Sequence, residues 1–289
     1  MSLTLSYSSK RLIQSCENKY FHYKVASTPV DPDHEESGAF DIGKAFHQYL
    51  EDNKHQKVAN FDKEVLKACA AHEVEQSDIP MIKAMLLKYL DLHEASGLEV
   101  VKCEQEILTD KFRGYIDAIM KNPLTGDWWI VDLKTAAKWD EGKLASLAHD
   151  EQLNLYSYFS DKLAPIFDLS PEKFMGARYR VTTKTTASIK KGEVEESFVQ
   201  RLYTMNVKSF DIVIPVSVMN REETWSSFLE AYDRITELHA GVAPRKNRGV
   251  CMEYFKPCQY WSQCYGKTFT EAKNSVQIFS ESSFGGDLL

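Results

Sequence analysis

GYIDAIMKNPLTGDWWIVDLKT, residues 114–135, decides the fold. Pro123-Leu124-Thr125-Gly126 puts proline early and glycine late, the chemistry of a tight turn between two strands. A turn centred between Leu124 and Thr125 sets Asp117 directly opposite Asp132, with Cβ atoms about 5 Å apart. Strand alternation adds Lys134 to the Asp132 face and Tyr115 to the Asp117 face. Two carboxylates in that position repel unless they share a proton or a cation. A lysine beside them offsets part of the charge and can orient a water next to a metal. Trp128, Trp129, Ile130 and Val131 precede Asp132. So apolar a strand is buried, and an acid at its end needs a partner.

Helical spacing dominates the chain before this hairpin. Ser8 and Ser9 can cap a first helix reaching about Tyr23, and residues 29–38 form a polar loop. Helices are expected over about 40–52 and 61–72. Another runs from Asp78 to Gly97, where Ile79, Ile82, Met85, Leu86 and Leu90 share a face. Strands follow at 99–109, 112–120 and 127–134, then a long helix over about 143–163. Further strands are expected near 174–183, 198–206 and 209–218, with a last helix over 221–240. This order predicts a mixed α/β sheet flanked by helices, with a helical N-terminal portion.

Composition narrows the class without naming a partner. With 43% hydrophobic and 12% aromatic residues, the chain can bury a core and is not of disordered type. No apolar run approaches the roughly 18 residues needed to span a bilayer, and no signal-type segment opens the chain. An intracellular, cytoplasmic protein without membrane association is therefore expected. The 35 basic and 42 acidic residues leave a net charge of −7, which argues against coating nucleic acid but not against a local basic groove. In a reducing compartment the six cysteines are free thiols or metal ligands rather than disulfides. Cys251, Cys258 and Cys264 cluster as C-x6-C-x5-C among aromatic residues, while Cys69 and Cys103 read as core residues.

The ordered motifs carry a resemblance. G-x-I-D followed by hydrophobic-D-x-K-T resembles the core of the PD-(D/E)XK nuclease superfamily. Gln152-Leu153-Asn154-Leu155-Tyr156 resembles the Q-x3-Y helix motif of its RecB-like branch, and Gly43-Lys44-Ala45-Phe46-His47 that branch's G-x3-H motif. Gln152 and Tyr156 are four apart and share a helix face. The resemblance implies a restriction-endonuclease-like fold in one nuclease domain over 1–265. Its parts would be a helical portion over about 1–97, a core over about 98–240 and a cysteine clasp over 241–265. It implies Mg2+ or Mn2+ held by His47, Asp117, Asp132 and the Leu133 carbonyl, with Asp117, Asp132, Lys134, Gln152 and Tyr156 as the catalytic set. Glu104 or Glu106 could supply a further carboxylate.

The cysteines extend this likeness to iron–sulfur members of the RecB-like and CRISPR-adaptation nucleases. There, one N-terminal and three C-terminal cysteines hold a [4Fe-4S] cluster; here these would be Cys16, Cys251, Cys258 and Cys264. The first gap is longer than the C-x2-C of many members, and zinc in the same thiolates is the alternative. The expected activity is metal-dependent DNA hydrolysis, by an exonuclease acting on single-stranded or end-opened DNA. An endonuclease, a subunit active only in a larger complex, and a non-cleaving DNA-binding module are the rivals. Arg178, Arg180, Lys184, Lys190 and Lys191 form a basic stretch suited to phosphate tracking. Tyr156, Tyr179 and Trp139 are candidates for stacking on unpaired bases. Residues 266–289 read as a flexible tail that could dock a protein partner.

Overall fold

The computed structural model describes residues 3–31, 39–137, 142, 144–147, 149–253 and 256–274. Its centre is a five-stranded sheet of β1 (Glu99–Leu108), β2 (Arg113–Lys121), β3 (Trp128–Ala136), β4 (Phe174–Thr183) and β5 (Ser209–Pro215), in that spatial order. β1, β2 and β3 are antiparallel neighbours; β3 and β4 run parallel; β4 and β5 are antiparallel. The restriction-endonuclease-like α/β architecture expected from the sequence is the one observed.

β3 is central because its sequence suits burial on both faces: Trp128 through Leu133 are all buried. One face of the sheet packs Ala118, Met120, Val131 and Leu133 against Phe46, Tyr49 and Leu50 of the helix Ala39–Asp52. Met85, Leu86 and Tyr89 of the helix Ile79–Ser96 join the same core. That second helix begins after Asp78, with Pro80 in its first turn, and stops at Gly97 in a left-handed conformation (φ 62°).

Three elements differ from the sequence reading. Residues 198–206 are not a strand but the helix Glu195–Arg201 continued by a π-turn over Leu202–Asn206. Phe198 and Leu202, four apart, are both buried in the core with the helix Ile79–Ser96, so helical spacing overrides the strand-like composition. Among the described residues, the long helix expected over 143–163 is three short ones instead: Leu144–Leu147, Glu151–Ser157 and Ser160–Leu163. The first helix breaks at Cys16, which is extended (φ −161°, ψ 115°) between Tyr7–Ser15 and Glu17–Tyr20.

The chain divides into two compact units. One comprises Met1–Tyr7 and Ser37–Leu229 and holds the whole sheet; the other comprises Ser8–Glu36 and Glu230–Leu289 and holds Cys16, Cys251, Cys258 and Cys264. No helix among the described residues is long and apolar enough to cross a membrane. Trp139 and residues 275–289 of the expected tail lie outside the described residues.

Candidate active site

The β2–β3 ladder has the register that the Pro123–Gly126 turn dictates, from Lys121↔Trp128 to Ala118↔Val131. Beyond Ala118 the ladder pairs stop, and Asp117 reaches across: its Oδ2 accepts the Leu133 amide at 2.6 Å. One carboxylate thus replaces the next ladder bond and stands beside the Asp132-Leu133-Lys134 segment. On the other side β1 brings Glu104 level with Asp117, between the pairs Cys103↔Ala118 and Gln105↔Ile116. Glu104 holds a left-handed conformation, φ 45°, in mid-strand. A non-glycine residue there carries a conformational cost of the kind that gathers at functional sites.

His47 enters from the helix Ala39–Asp52, with Nδ1 3.9 Å from Asp117 Oδ2. His47, Glu104 and Asp117 offer ligand atoms that all lie within 4.8 Å of one another. This geometry separates the two glutamates that the sequence left open. Glu106 is turned to Arg113 Nε at 2.6 Å and the Tyr115 hydroxyl at 3.0 Å.

Lys134 Nζ lies 2.9 Å from both Asp132 oxygens and donates to Gln152 Oε1 at 3.3 Å. Gln152 Nε2 in turn donates to the Tyr156 hydroxyl at 3.3 Å. Both residues ride on the helix Glu151–Ser157, whose N-cap is Asp150: Oδ1 accepts the Leu153 amide at 2.9 Å and Oδ2 the Tyr179 hydroxyl at 3.2 Å. Asp150 escaped the sequence reading. Its signal was an aspartate just ahead of the Gln152 motif, the position of a helix N-cap, hidden by treating 143–163 as continuous.

The electrostatics are those of a site built for a cation. Burial, with Asp117 next to it, pushes Asp132 up to about 7, and burial also raises Asp117. Burial and Asp117 likewise push Glu104 up to about 7. Burial opposes the charge on Lys134, but Asp132 and Asp117 outweigh it and keep the ammonium protonated. His47 is pushed down to about 4, chiefly by burial, so its imidazole is neutral with a lone pair to give. Asp132 Oδ2 is buried without a hydrogen-bond partner despite the nearby ammonium. Carboxylate oxygens, a backbone carbonyl and one imidazole are the donor chemistry of Mg2+ or Mn2+, so the residues present fit such an ion.

Several expected roles do not survive. Arg180 is fully buried, donating to Tyr89, Ser96 and Asp211, with its Nη1 2.7 Å from His93 Nδ1. Arg178 pairs with Asp211 at 2.7 Å and stacks on Trp129. Neither faces a groove, because Asp211 on the neighbouring strand holds both inward. Tyr156 and Tyr179 are buried and hydrogen-bonded, so neither ring is open to a base. Lys190 and Lys191 are exposed, and Lys184 is half-buried.

In the second unit Cys16, Cys251, Cys258 and Cys264 line one small cavity with Tyr260, Trp261 and Tyr265. All four are free thiols. Asn18 Nδ2 donates to Cys264 Sγ at 2.9 Å, and the Asn247 amide to Cys16 Sγ at 3.5 Å.

No curated protein sequence matches the chain. The model of the PD-(D/E)XK nuclease superfamily matches residues 4–265, a span that contains every residue of the acidic site and all four clustered cysteines. Asp117 on β2, then Asp132-x-Lys134 on β3 beside it, is the arrangement this superfamily's name describes, and the chain belongs to the PD-(D/E)XK nuclease superfamily.

Proposed function

We propose that this chain is a DNA exonuclease of the RecB-like kind, acting on single-stranded or end-opened DNA. Membership of the superfamily implies metal-dependent phosphodiester hydrolysis. The observation that carries the proposal is the contact chain Asp132–Lys134–Gln152–Tyr156 beside the three donors His47, Glu104 and Asp117. It joins the D-x-K and Q-x3-Y segments, the second being the mark of the RecB-like branch.

His47, Glu104, Asp117, Asp132 and the Leu133 carbonyl would hold the ion. Bound there, Mg2+ or Mn2+ supplies positive charge to a phosphate oxygen and acidity to a water. Lys134 donates to the attacking water and aims it at phosphorus, while Asp132 keeps the ammonium charged and in place. Gln152 fixes the far side of that ammonium, and Tyr156 fixes Gln152. Glu104 and Asp132, which burial and Asp117 raise to about 7, must both be ionised before the site accepts a cation.

For the second unit we read the four cysteines as ligands of a [4Fe-4S] cluster. Their shared cavity and aromatic lining support this. Iron and acid-labile sulfide in equal amounts, with a broad visible absorbance, are expected from anaerobically purified protein. A colourless protein with one zinc per chain would overturn this reading.

End-labelled single-stranded, duplex and covalently closed circular DNA, each incubated with Mg2+ or Mn2+, test the activity. Release of label from linear substrates alone is expected. Cleavage of closed circles would replace the exonuclease by an endonuclease, and no cleavage of any substrate would point to a binding module or a missing partner.

A further inference from the structure

The outer strip of the β1–β2 pair leads away from the metal-binding donors. Directly opposite pairs on it are Glu106↔Tyr115 and Leu108↔Arg113, next along from the level of Glu104 and Asp117. Alternation puts Arg113 and Tyr115 on the Asp117 side of β2, with Tyr115 about 7 Å along the strand from Asp117. Tyr115 is 43% exposed and Leu108 63% exposed, so this strip is open.

An exposed tyrosine alone is ordinary. This one is held. Its hydroxyl donates to Glu106 Oε1 at 3.0 Å, and the same oxygen accepts Arg113 Nε at 2.6 Å. The Arg113 guanidinium lies over the Tyr115 ring at 5.5 Å, so one face of the ring is backed by a cation and the other remains. Glu106 thereby fixes an aromatic plate whose rotamer freedom is already spent, and Arg113 cancels the carboxylate that would repel a phosphate. A flat, rigid, cation-backed ring one nucleotide's reach from the acids suits one ligand class, an unpaired nucleobase.

We infer that Tyr115, oriented by Glu106 and Arg113, is a stacking site for an unpaired base of a strand whose phosphate lies at the cation site of His47, Glu104 and Asp117. The inference rests on the nuclease reading and deepens it: a strand enters with its bases free, and a base kept in a duplex cannot reach the plate.

Binding of single-stranded oligonucleotides, each with one base replaced by an abasic tetrahydrofuran at successive positions, tests this on the full chain with Ca2+ in place of Mg2+. In the wild type one position near the site should weaken binding about tenfold. Tyr115→Ala should bind the intact strand weaker by a similar factor and lose that positional penalty. Tyr115→Phe, which keeps the ring but loses the hydroxyl bond to Glu106, should keep the positional penalty and lose only a small part of the affinity. A Tyr115→Ala protein with the full positional penalty would overturn the inference, as would equal losses in Phe and Ala. Should Tyr115→Ala fail to fold, Tyr115→Leu, which keeps bulk without a π-face, makes the same comparison. Cleavage of the same strands in Mg2+ reports separately. A wild type that binds with the penalty but never cleaves sinks the nuclease reading and leaves the stacking site standing.

Discussion

Asp132 is costly to bury as an anion: it is 3% exposed, has one oxygen without a hydrogen bond, and faces Asp117. Its folded-state pKa of about 7 lies above the ordinary aspartate value of about 3.9. Stability from keeping it neutral is therefore complete below about pH 4 and is lost as pH rises through 7. Asp132→Asn should raise the melting temperature of metal-free protein, with the gap over wild type widening from pH 4 to pH 7.5. Mn2+ should raise the melting temperature of the wild type and not of the variant; thermal unfolding with and without the ion checks both. Asp117, Asp132 and Lys134 were legible because one turn set their register and period two did the rest. Glu104 was not, because alternation along β1 treats it and Glu106 alike and gives no sign of the left-handed φ at Glu104. Arg178 and Arg180 were misread for a related reason. Their partner Asp211 lies about thirty residues further on, and local charge does not reveal which way a side chain points.

At the scale of elements, the helix Glu151–Ser157 carries Gln152 and Tyr156 but has only seven residues, too few to hold itself. Asp150 ties it to β4 through Tyr179. Asp150→Ala should cost about 1–2 kcal/mol in chemical denaturation and lower kcat with little change in KM. Asp150→Ser should recover the stability, since serine also caps, and less of the kcat, since its shorter hydroxyl cannot serve both Leu153 and Tyr179. Between β4 and β5, Asp211 compensates two inward arginines. Asp211→Ala should destabilise the protein by about 3–5 kcal/mol in urea unfolding, because it strands both charges. The elements that sequence spacing described well were those with strong local rules: the capped helix Ile79–Ser96 and the turn-linked β2–β3 hairpin. Residues 198–206 read as a strand in sequence because their aromatic and β-branched residues favour either state. What decides for helix is packing on a helix a hundred residues earlier, which no local window contains.

For the whole molecule, the net charge of −7 is a poor guide to the partner. Several of its acids converge on one place, and an ion bound there turns a repulsive patch into a phosphate site. Cys16 and the three late cysteines gather in one compact unit, while the acids gather in the other. Cys16→Ser should therefore lower the stability of its own unit, read as earlier proteolysis of residues 8–36 and 230–274. The central claim is hydrolysis at the acidic site, and the most direct test is single-turnover cleavage of end-labelled single-stranded DNA in Mn2+. Wild type is compared with folded Asp117→Ala and Lys134→Ala. A loss of about a thousandfold or more in both variants, with label release by the wild type, is the expected result. Wild-type cleavage rates in either variant would contradict it.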